Sequence, residues 1–520
     1  MDQHISAKRI SLAVIKYFFI ILTVVILILL MVEEKIDYFL KKPFLVSNPI
    51  ALIIACLAVA VIIFIWGRLG SKVRSFISTN MPKYIPIFIL VVFFFQIFIS
   101  YHVFFQSGWD VGAILSFIDL KILDVPWSDW YDWYFSAYQN NLMITWIFYR
   151  LTLLGSKISI GGLMSIIILN CLVSSVTGWL VYRSTRILLS ESWAIFSWLI
   201  YVVFIGFNPW MTITYTDQLA LCFPILIFYL YLISKDRRLR IPIWFLISLV
   251  VVIGYSIKPT IIIMLTAILI IETLRFLVER KKIKKEGLLI MLAILTTFFI
   301  TKTINSYLVN DLGFTFNNEA EFGWPHWLMV GLNESTDGRY AGEDVIYAKG
   351  FLTRDARNAA IFRVIKDRLE NFGFTGYLQF AARKALVNFG DGTFAWAKEG
   401  NFYNKEMYPR VNEKVASFLR SFYYDYGSNY PITSMIQQAI WVGIITSMIG
   451  IYLIENSKID FPLAVLMLSL IGLIIFVMIF EARARYLYSY SPIFIMAGII
   501  GLSQIKQRLS KLNCAIRIHR

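Results

Sequence analysis

The sequence predicts an all-α polytopic membrane protein, with about twelve transmembrane helices and one sizeable domain outside the cytoplasm. Hydrophobic residues make up 58% of the 520 residues, and the mean hydropathy is +0.68. Charged residues make up 16%, against about 25% in a typical soluble protein. The apolar residues also fall into separate runs, and a run of about 20 such residues is enough to cross a bilayer as a helix.

The predicted spans follow these apolar runs along the chain. They are Ile10–Val32, Asn48–Gly67, Tyr84–Phe105, Ile160–Tyr182, Ser192–Asn208, Tyr215–Ile233, Pro242–Ile257, Pro259–Val278, Gly287–Tyr307, Ile432–Leu453, Phe461–Phe480 and Tyr486–Leu502. Two of them meet at Lys258-Pro259, and because proline ends or kinks a helix, we expect a tight turn there.

Basic residues in the short loops predict the orientation. Cytoplasmic loops are rich in Lys and Arg, and an N-terminus inside the cell places five basic groups of residues there: Arg68, Lys72 and Arg74; Arg183 and Arg186; Lys235, Arg237, Arg238 and Arg240; the run from Arg280 to Lys285; and Lys506, Arg508, Lys511, Arg517 and Arg520. Both termini are then cytoplasmic, in a multi-pass protein of the cell membrane. The net charge of +16 is explained by these loops and by contact with membrane lipids, so no nucleic-acid partner is expected.

Two segments on the predicted outer side are too long for turns. Residues 106–159 contain two apolar stretches shorter than a span, Val111–Ile122 and Leu142–Leu154, which we interpret as amphipathic helices lying along the interface. Residues 308–431 are polar, with helical periodicity at Arg354–Phe372 and Gly376–Val387, and predict a small, mainly helical extracytoplasmic domain. The predicted division is 1–83 (two extra N-terminal helices), 84–307 (membrane core with the outer loop 106–159), 308–431, 432–504 (C-terminal membrane helices) and 505–520 (a basic cytoplasmic tail).

Two aspartates stand at the outer ends of predicted spans, where an ionisable side chain needs a partner or a function. Asp110 follows the third span directly, and its carboxylate either accepts a proton from an acceptor hydroxyl or caps the next helix. Asp217 opens the sixth span, with the same two interpretations.

Basic residues on the outer side run against the positive-inside rule. Lys258 is a lone cation between apolar runs and either binds a phosphate or extends to lipid head groups. Arg483 and Arg485, beside Glu481, lie ahead of the last span, and guanidinium groups match phosphate oxygens.

Metal and nucleotide chemistry lack a motif. The four histidines are scattered without ligand spacing, and no Gly-rich loop that cradles phosphates precedes a helix. His326, in Trp324-Pro325-His326-Trp327, either lines a site or is structural. No cofactor is expected, although a divalent cation is possible.

Seven short segments stand out in order along the chain. They are Trp109-Asp110, Tyr134-Phe135-Ser136-Ala137-Tyr138-Gln139-Asn140-Asn141, Tyr215-Thr216-Asp217, Ile257-Lys258-Pro259-Thr260, Met329-Val330-Gly331-Leu332-Asn333, Phe389-Gly390-Asp391-Gly392 and Glu481-Ala482-Arg483-Ala484-Arg485-Tyr486. From about Tyr84 to Leu502 the chain resembles the GT-C superfamily of integral membrane glycosyltransferases. The resemblance is to the bacterial branch of protein O-mannosyltransferases and the lipid A aminoarabinose transferase, and to Gram-positive members, in which a proline stands where this chain has Gln139.

The resemblance implies a polyprenyl-phosphate-linked sugar as donor, transferred with inversion to a glycan, lipid or protein acceptor on the outer face of the membrane, in cell-wall or surface polysaccharide modification. It implies Asp110 as catalytic base, Asp217 as a second catalytic residue that orients sugar or acceptor, and Lys258, Arg483 and Arg485 as the phosphate site. The remaining predicted substrate-binding residues are Trp109, Asn140, Asn141, His326, Asp391 and Glu481.

Two other classes also have many spans and intramembrane charges. A polysaccharide polymerase has a large outer loop, and a lipid-sugar flippase or other secondary transporter has ionisable residues in the membrane. The ionisable residues here lie at outer helix ends rather than at mid-depth, and inverted repeats are absent from the sequence. Both observations favour the glycosyltransferase.

Overall fold

A computed structural model of the chain describes residues 2–32, 36–37, 42–43, 47–68, 70–234, 240–279, 299–300, 303–304, 306–406 and 412–518. These residues are overwhelmingly helical. The helices are α1 (Asp2–Val32), α2 (Asn48–Arg68), α3 (Ser71–Val103), α4 (Trp109–Ile122), α5 (Asp129–Ala137), α6 (Leu142–Lys157), α7 (Gly162–Leu188), α8 (Glu191–Tyr201), α9 (Thr216–Ala220), α10 (Cys222–Ile233), α11 (Arg240–Ile257), α12 (Ile262–Glu279), α13 (306–312), α14 (Trp324–Gly331), α15 (Gly342–Lys349), α16 (Arg354–Phe389), α17 (Glu413–Tyr423), α18 (Tyr430–Met448), α19 (Phe461–Ile479) and α20 (Ser491–Ile518).

Short 3-10 turns and two-residue strands join these helices. The strands form two antiparallel pairs, β1 (Ile36–Asp37) with β2 (Lys42–Pro43) and β3 (Phe105–Gln106) with β4 (Lys405–Glu406). The second pair joins the end of α3 to the loop after α16, so it connects two parts of the chain that are far apart in sequence.

Among the described residues, nine helical segments are long and apolar enough to cross a membrane. They are Lys8–Val32, Thr79–Val103, Gly162–Leu188, Thr216–Ile233, Arg240–Ile257, Pro259–Val278, Tyr430–Leu453, Phe461–Ile479 and Ala484–Leu512. Two shorter apolar helices, Asn48–Ile62 and Glu191–Gly206, coincide with two further predicted spans. The predicted span Gly287–Tyr307 lies mostly outside the described residues. The protein is therefore an integral membrane protein by helix length and composition, while the predicted count of about twelve spans is not confirmed.

The helix boundaries differ from the predicted spans in three places. α3 begins at Ser71 and includes two prolines, so it is longer than the apolar run alone. The helix that begins at Glu191 changes to a π turn at Val202–Gly206. The first residues of the last predicted span lie in a 3-10 turn at Ala484–Tyr490. The rest of the span and the described part of the basic tail form one helix, α20, because the charged tail contains no helix-breaking residue.

Polar groups inside the bundle pair with each other, as they must where water is absent. Gln96 on α3 donates to Ser174 Oγ at 3.0 Å and to the Gly206 carbonyl at 2.6 Å, and it accepts from Ser175 at 3.0 Å. The N-terminal helices also join the bundle: α1 packs on α19 and α2 on α18.

The segment outside the bundle has a small core of its own. α14, α15 and α16, together with the end of α5, surround a cluster of buried apolar side chains: Ala137, Phe322, Met329, Leu332, Ala348, Ile361, Ile365 and Phe380. Helical geometry in α16 is interrupted at Gly373, which lies between the two predicted helical stretches and confirms them. Lys384 on α16 donates to the Gly331 carbonyl at 2.5 Å, and the Ala482 amide donates to the Gly338 carbonyl at 2.7 Å. This domain is therefore attached to the chain that leaves α19.

Candidate active site

The predicted catalytic base, Asp110, lies in the first turn of α4 and has both carboxylate oxygens engaged. Tyr134 donates a hydrogen bond to Oδ1 at 2.7 Å, and Tyr215 donates to Oδ2 at 3.0 Å. Asn141 supports both tyrosines, since its amide donates to the Tyr134 hydroxyl at 2.8 Å and its Oδ1 lies 3.2 Å from the Tyr215 hydroxyl. Burial and the Asp110 charge raise the pKa of Tyr134 well above its ordinary value. Tyr134 therefore remains a protonated donor, and Asp110 is held in one orientation.

The backbone ahead of Asp110 is held by the loop after α16. The Gly108 amide donates to the Asn401 carbonyl at 2.9 Å, and Ser107 donates to the Phe402 carbonyl at 2.7 Å. A Cβ at position 108 would lie 2.6 Å from the Asn401 oxygen, so only glycine permits this approach. Trp109 has φ of 44°, a left-handed conformation that costs about 1–2 kcal/mol in a residue other than glycine. The surrounding contacts thus fix a strained turn directly before the carboxylate.

Lys258 and Arg485 meet at the second predicted aspartate, Asp217. Asp217 lies in the first turn of α9 and is fully buried. Lys258 forms an ion pair with its Oδ1, and Arg485 Nη1 lies 3.2 Å from its Oδ2. The turn between α11 and α12 places Lys258 here, since α11 ends at Ile257 and a 3-10 turn begins at Pro259, as predicted.

A third carboxylate, Glu399, joins the two arginines. Its Oε2 accepts from Arg483 Nη1 at 3.0 Å, and its Oε1 lies 3.0 Å from Arg485 Nε. Arg483 Nε also donates to Glu481 at 3.1 Å, and Tyr486 donates to Glu481 at 2.5 Å. Three cations and three carboxylates therefore form one chain of ion pairs, in the order Lys258, Asp217, Arg485, Glu399, Arg483 and Glu481, which we call the charge chain.

Two aromatic rings connect the charge chain to Asp110. The Arg485 guanidinium carbon lies 4.7 Å from the Trp109 ring centre and 5.4 Å from that of Tyr215. The Trp109 and Tyr215 rings are themselves in edge contact, with centres 4.8 Å apart. Because Tyr215 also donates to Asp110, the structure gathers eight of the eleven predicted site residues into one network: Trp109, Asp110, Asn141, Asp217, Lys258, Glu481, Arg483 and Arg485.

The other three predicted site residues have local partners. Asn140 donates to Asn141 Oδ1 at 3.1 Å and so adjoins the network. Asp391 accepts from the Thr393 and Ala395 amides of its own loop, at 2.8 Å and 3.1 Å. His326 is buried against Phe322, with ring centres 4.3 Å apart, and burial lowers its pKa to about 4. Substrate binding by all three remains a prediction.

Glu399, Tyr134 and Tyr215 were not among the predicted site residues. Tyr134 and Tyr215 stand inside segments that the sequence singled out, each close to a polar residue that was chosen instead. Glu399 lies in Trp396-Ala397-Lys398-Glu399-Gly400, which has no distinguishing pattern. Only the folded position of its loop shows that it meets the arginines.

The carboxylates of this site are paired with cationic side chains. Across the part of the chain that the structure describes, no three His, Cys, Asp or Glu side chains are grouped as metal ligands. The carboxylates of the charge chain instead contact Lys and Arg. A divalent cation therefore stays a prediction from the sequence.

Comparison with known proteins shows the family of the chain and a weak similarity to a solved structure. A family model described as "Conserved hypothetical integral membrane protein" matches residues 7–506. Among solved structures, the chain is similar to the archaeal oligosaccharyltransferase AglB from Archaeoglobus fulgidus, in complex with an inhibitory peptide and a dolichol-phosphate. The TM-score is 0.39 and the identity 12%, and the match covers 84% of this chain and 52% of that chain. The chain thus spans about half the length of that enzyme. No curated protein matches the sequence.

Proposed function

This chain belongs to the conserved hypothetical integral membrane protein family, and we propose that it is an inverting glycosyltransferase. It moves a sugar from a polyprenyl-phosphate donor to a glycan, lipid or protein acceptor. The reaction takes place at the extracytoplasmic face, in modification of the cell wall or of a surface polysaccharide.

Asp110 is the proposed base. The acceptor hydroxyl oxygen attacks the anomeric carbon, its proton passes to the Asp110 carboxylate, and the new glycosidic bond forms on the face opposite the leaving group. The tyrosine donors on both carboxylate oxygens supply the fixed position that a general base needs.

The proposed role of the cations is to receive the leaving group. The bond between the anomeric carbon and the phosphate oxygen breaks, and its electron pair remains on the phosphate. Lys258, Arg483 and Arg485 stabilise the charge that develops there, since donors fixed in advance in a low-dielectric site act strongly on such charge. Asp217 orients Lys258 and Arg485, with which it is paired.

One observation carries this proposal: Tyr215 contacts both the proposed base and a cation of the charge chain. It donates to Asp110 at 3.0 Å, and its ring lies under Arg485 at 5.4 Å. A single side chain thus joins the group that would accept a proton to the group that would hold the leaving phosphate. An in-line displacement requires these two functions at one reacting carbon.

The proposal is tested with the purified full-length chain in liposomes. Polyprenyl-phosphate sugars and nucleotide sugars are supplied separately, together with candidate glycan, lipid and peptide acceptors. We expect release of polyprenyl phosphate in step with product formation, and only from lipid-linked donors. Turnover of nucleotide sugars alone would overturn the choice of donor. Movement of the intact lipid-linked sugar across the bilayer, with no bond broken, would replace the transferase with a flippase.

A further inference from the structure

The loop between α16 and β4 places Glu399 in the charge chain. Phe394 and Trp396 of this loop are fully buried, and their rings lie 5.5 Å from Trp441 and 5.7 Å from Trp210. These anchors hold the first half of the loop in the membrane bundle. Glu399 follows them and is itself buried.

The charge chain leaves no excess positive charge for a phosphate. Its three cations are matched by three carboxylates, Asp217, Glu399 and Glu481. A phosphate that enters brings at least one further negative charge, and an unmatched charge in a buried site is strongly destabilising. A phosphate can bind strongly only if one carboxylate gives up its cations.

Glu399 is the carboxylate that is held least firmly. Asp217 is part of a helix, and Glu481 also accepts a hydrogen bond from Tyr486 at 2.5 Å. Glu399 Oε1 and Arg485 Nε lie 3.0 Å apart, yet neither atom completes a hydrogen bond within the described residues. Gly400 follows directly, with open space where a Cβ would lie.

We propose that Glu399 competes with the donor phosphate for Arg483 and Arg485, so that the side of these arginines covered by Glu399 is an anion subsite. The inference rests on the proposed function, and it identifies a positioning residue for that reaction. Displacing Glu399 frees two guanidinium groups for a bidentate phosphate contact, the geometry that Arg matches best.

The same loop links the subsite to the proposed base. Asn401, two residues after Glu399, accepts the Gly108 amide at 2.9 Å, and Phe402 accepts from Ser107 at 2.7 Å. Displacement of Glu399 would therefore take place within two or three residues of the backbone contacts that precede Asp110.

The test compares binding of radiolabelled polyprenyl monophosphate to the detergent-purified wild type and to Glu399→Gln. The amide keeps the size of the side chain and removes the competing charge, so we expect binding about tenfold tighter, equivalent to about 1.4 kcal/mol. A role in folding alone would give weaker binding instead. Glu455→Gln, which changes an exposed carboxylate paired with Lys458, should leave the dissociation constant unchanged.

Two further probes identify the ligand. Inorganic phosphate should show the same direction of change, because the subsite recognises the phosphate group. An equal gain with phosphatidylglycerol vesicles would assign the subsite to membrane head groups and overturn the inference.

Hydrogen exchange of the wild type keeps the test independent of the variant. Polyprenyl monophosphate should increase amide exchange in residues 397–404, and unchanged exchange there would contradict displacement. If the wild type binds the lipid phosphate but Glu399→Gln binds it equally or less well, only this inference fails. If no form binds it, the proposed donor fails as well.

Discussion

Replacing the carboxylate of Asp110 with an amide tests the proposed base most directly. Asp110→Asn keeps the shape of the side chain and still offers one oxygen to the tyrosine hydroxyls that lie 2.7 Å and 3.0 Å from the carboxylate. It removes the proton acceptor. We therefore expect normal expression and donor binding, with transfer slowed by a factor of several hundred, because the loss of a positioned base costs about 3–4 kcal/mol of transition-state stabilisation.

The tyrosines predict a graded series around this variant. Tyr134→Phe and Tyr215→Phe each remove one hydrogen bond to a carboxylate, worth about 1.5 kcal/mol at the lower end. Each should slow transfer about tenfold while Asp110 remains available as the base. Their effects should not add, because both hydroxyls also contact Asn141 and neighbouring sites couple.

The assay is initial-rate transfer from a polyprenyl-phosphate sugar in liposomes, with donor binding measured separately. Asp129→Asn is the matched control, since Asp129 is an exposed carboxylate in the first turn of α5 and should transfer at the wild-type rate. An Asp110→Asn protein that expresses normally and transfers at the wild-type rate would refute the argument. Asp110 would then be a structural acceptor for two tyrosines, and the role of base would pass to Asp217.

Three further predictions concern topology, the charge chain and acid stability. Glu334→Cys, at an exposed position of the segment predicted to be extracytoplasmic, should react with an impermeant maleimide on intact cells, and Glu455→Cys only after permeabilisation. The reverse pattern would put every site residue on the wrong face. Arg485→Lys should keep the fold but lose most transfer, measured as kcat, because an ammonium cannot make two directed contacts. Arg485→Ala should also lower the melting temperature. Equal activity of Arg485→Lys and the wild type would contradict a directed contact between the guanidinium and the phosphate. His326 has a pKa lowered to about 4 by burial, so the unfolded chain binds its proton first as the pH falls. The free energy of unfolding should therefore fall by up to about 3 kcal/mol between about pH 6.5 and pH 4. His326→Phe, which preserves stacking on Phe322, should flatten that part of the curve of melting temperature against pH. A wild-type melting temperature that stays constant over this range would refute the lowered pKa of His326.

Hydropathy predicted most of the membrane part because each span is a local property of 20 or so residues. The turn at Lys258-Pro259 and the break near Gly373 were also predictable, since proline and glycine act on their own backbone. Helix α5 was missed: its nine residues mix Asp with Trp and Tyr, and its apolar face is too short for a clear period.

The site was only partly predictable, for a different reason. Charge at the ends of apolar runs, on the side predicted to be extracytoplasmic, identified Lys258, Arg483 and Arg485, because the bilayer makes such residues costly. Glu399 carries no such cost in a polar outer segment, so nothing local distinguishes it from other surface carboxylates. Its importance depends on a contact with Arg483, 84 residues further along the chain.

The hydrogen bond between Ser107 and the Phe402 carbonyl has a consequence for biosynthesis. These two residues are 295 positions apart, and the chain emerges from the ribosome at about 5–20 residues per second. The early spans can therefore be inserted many seconds before the loop that positions Asp110 has been translated. A nascent chain released before residue 402 would have most of its membrane helices but would lack the contact that holds the turn before Asp110, so this turn can assemble only after nearly four-fifths of the polypeptide has been made.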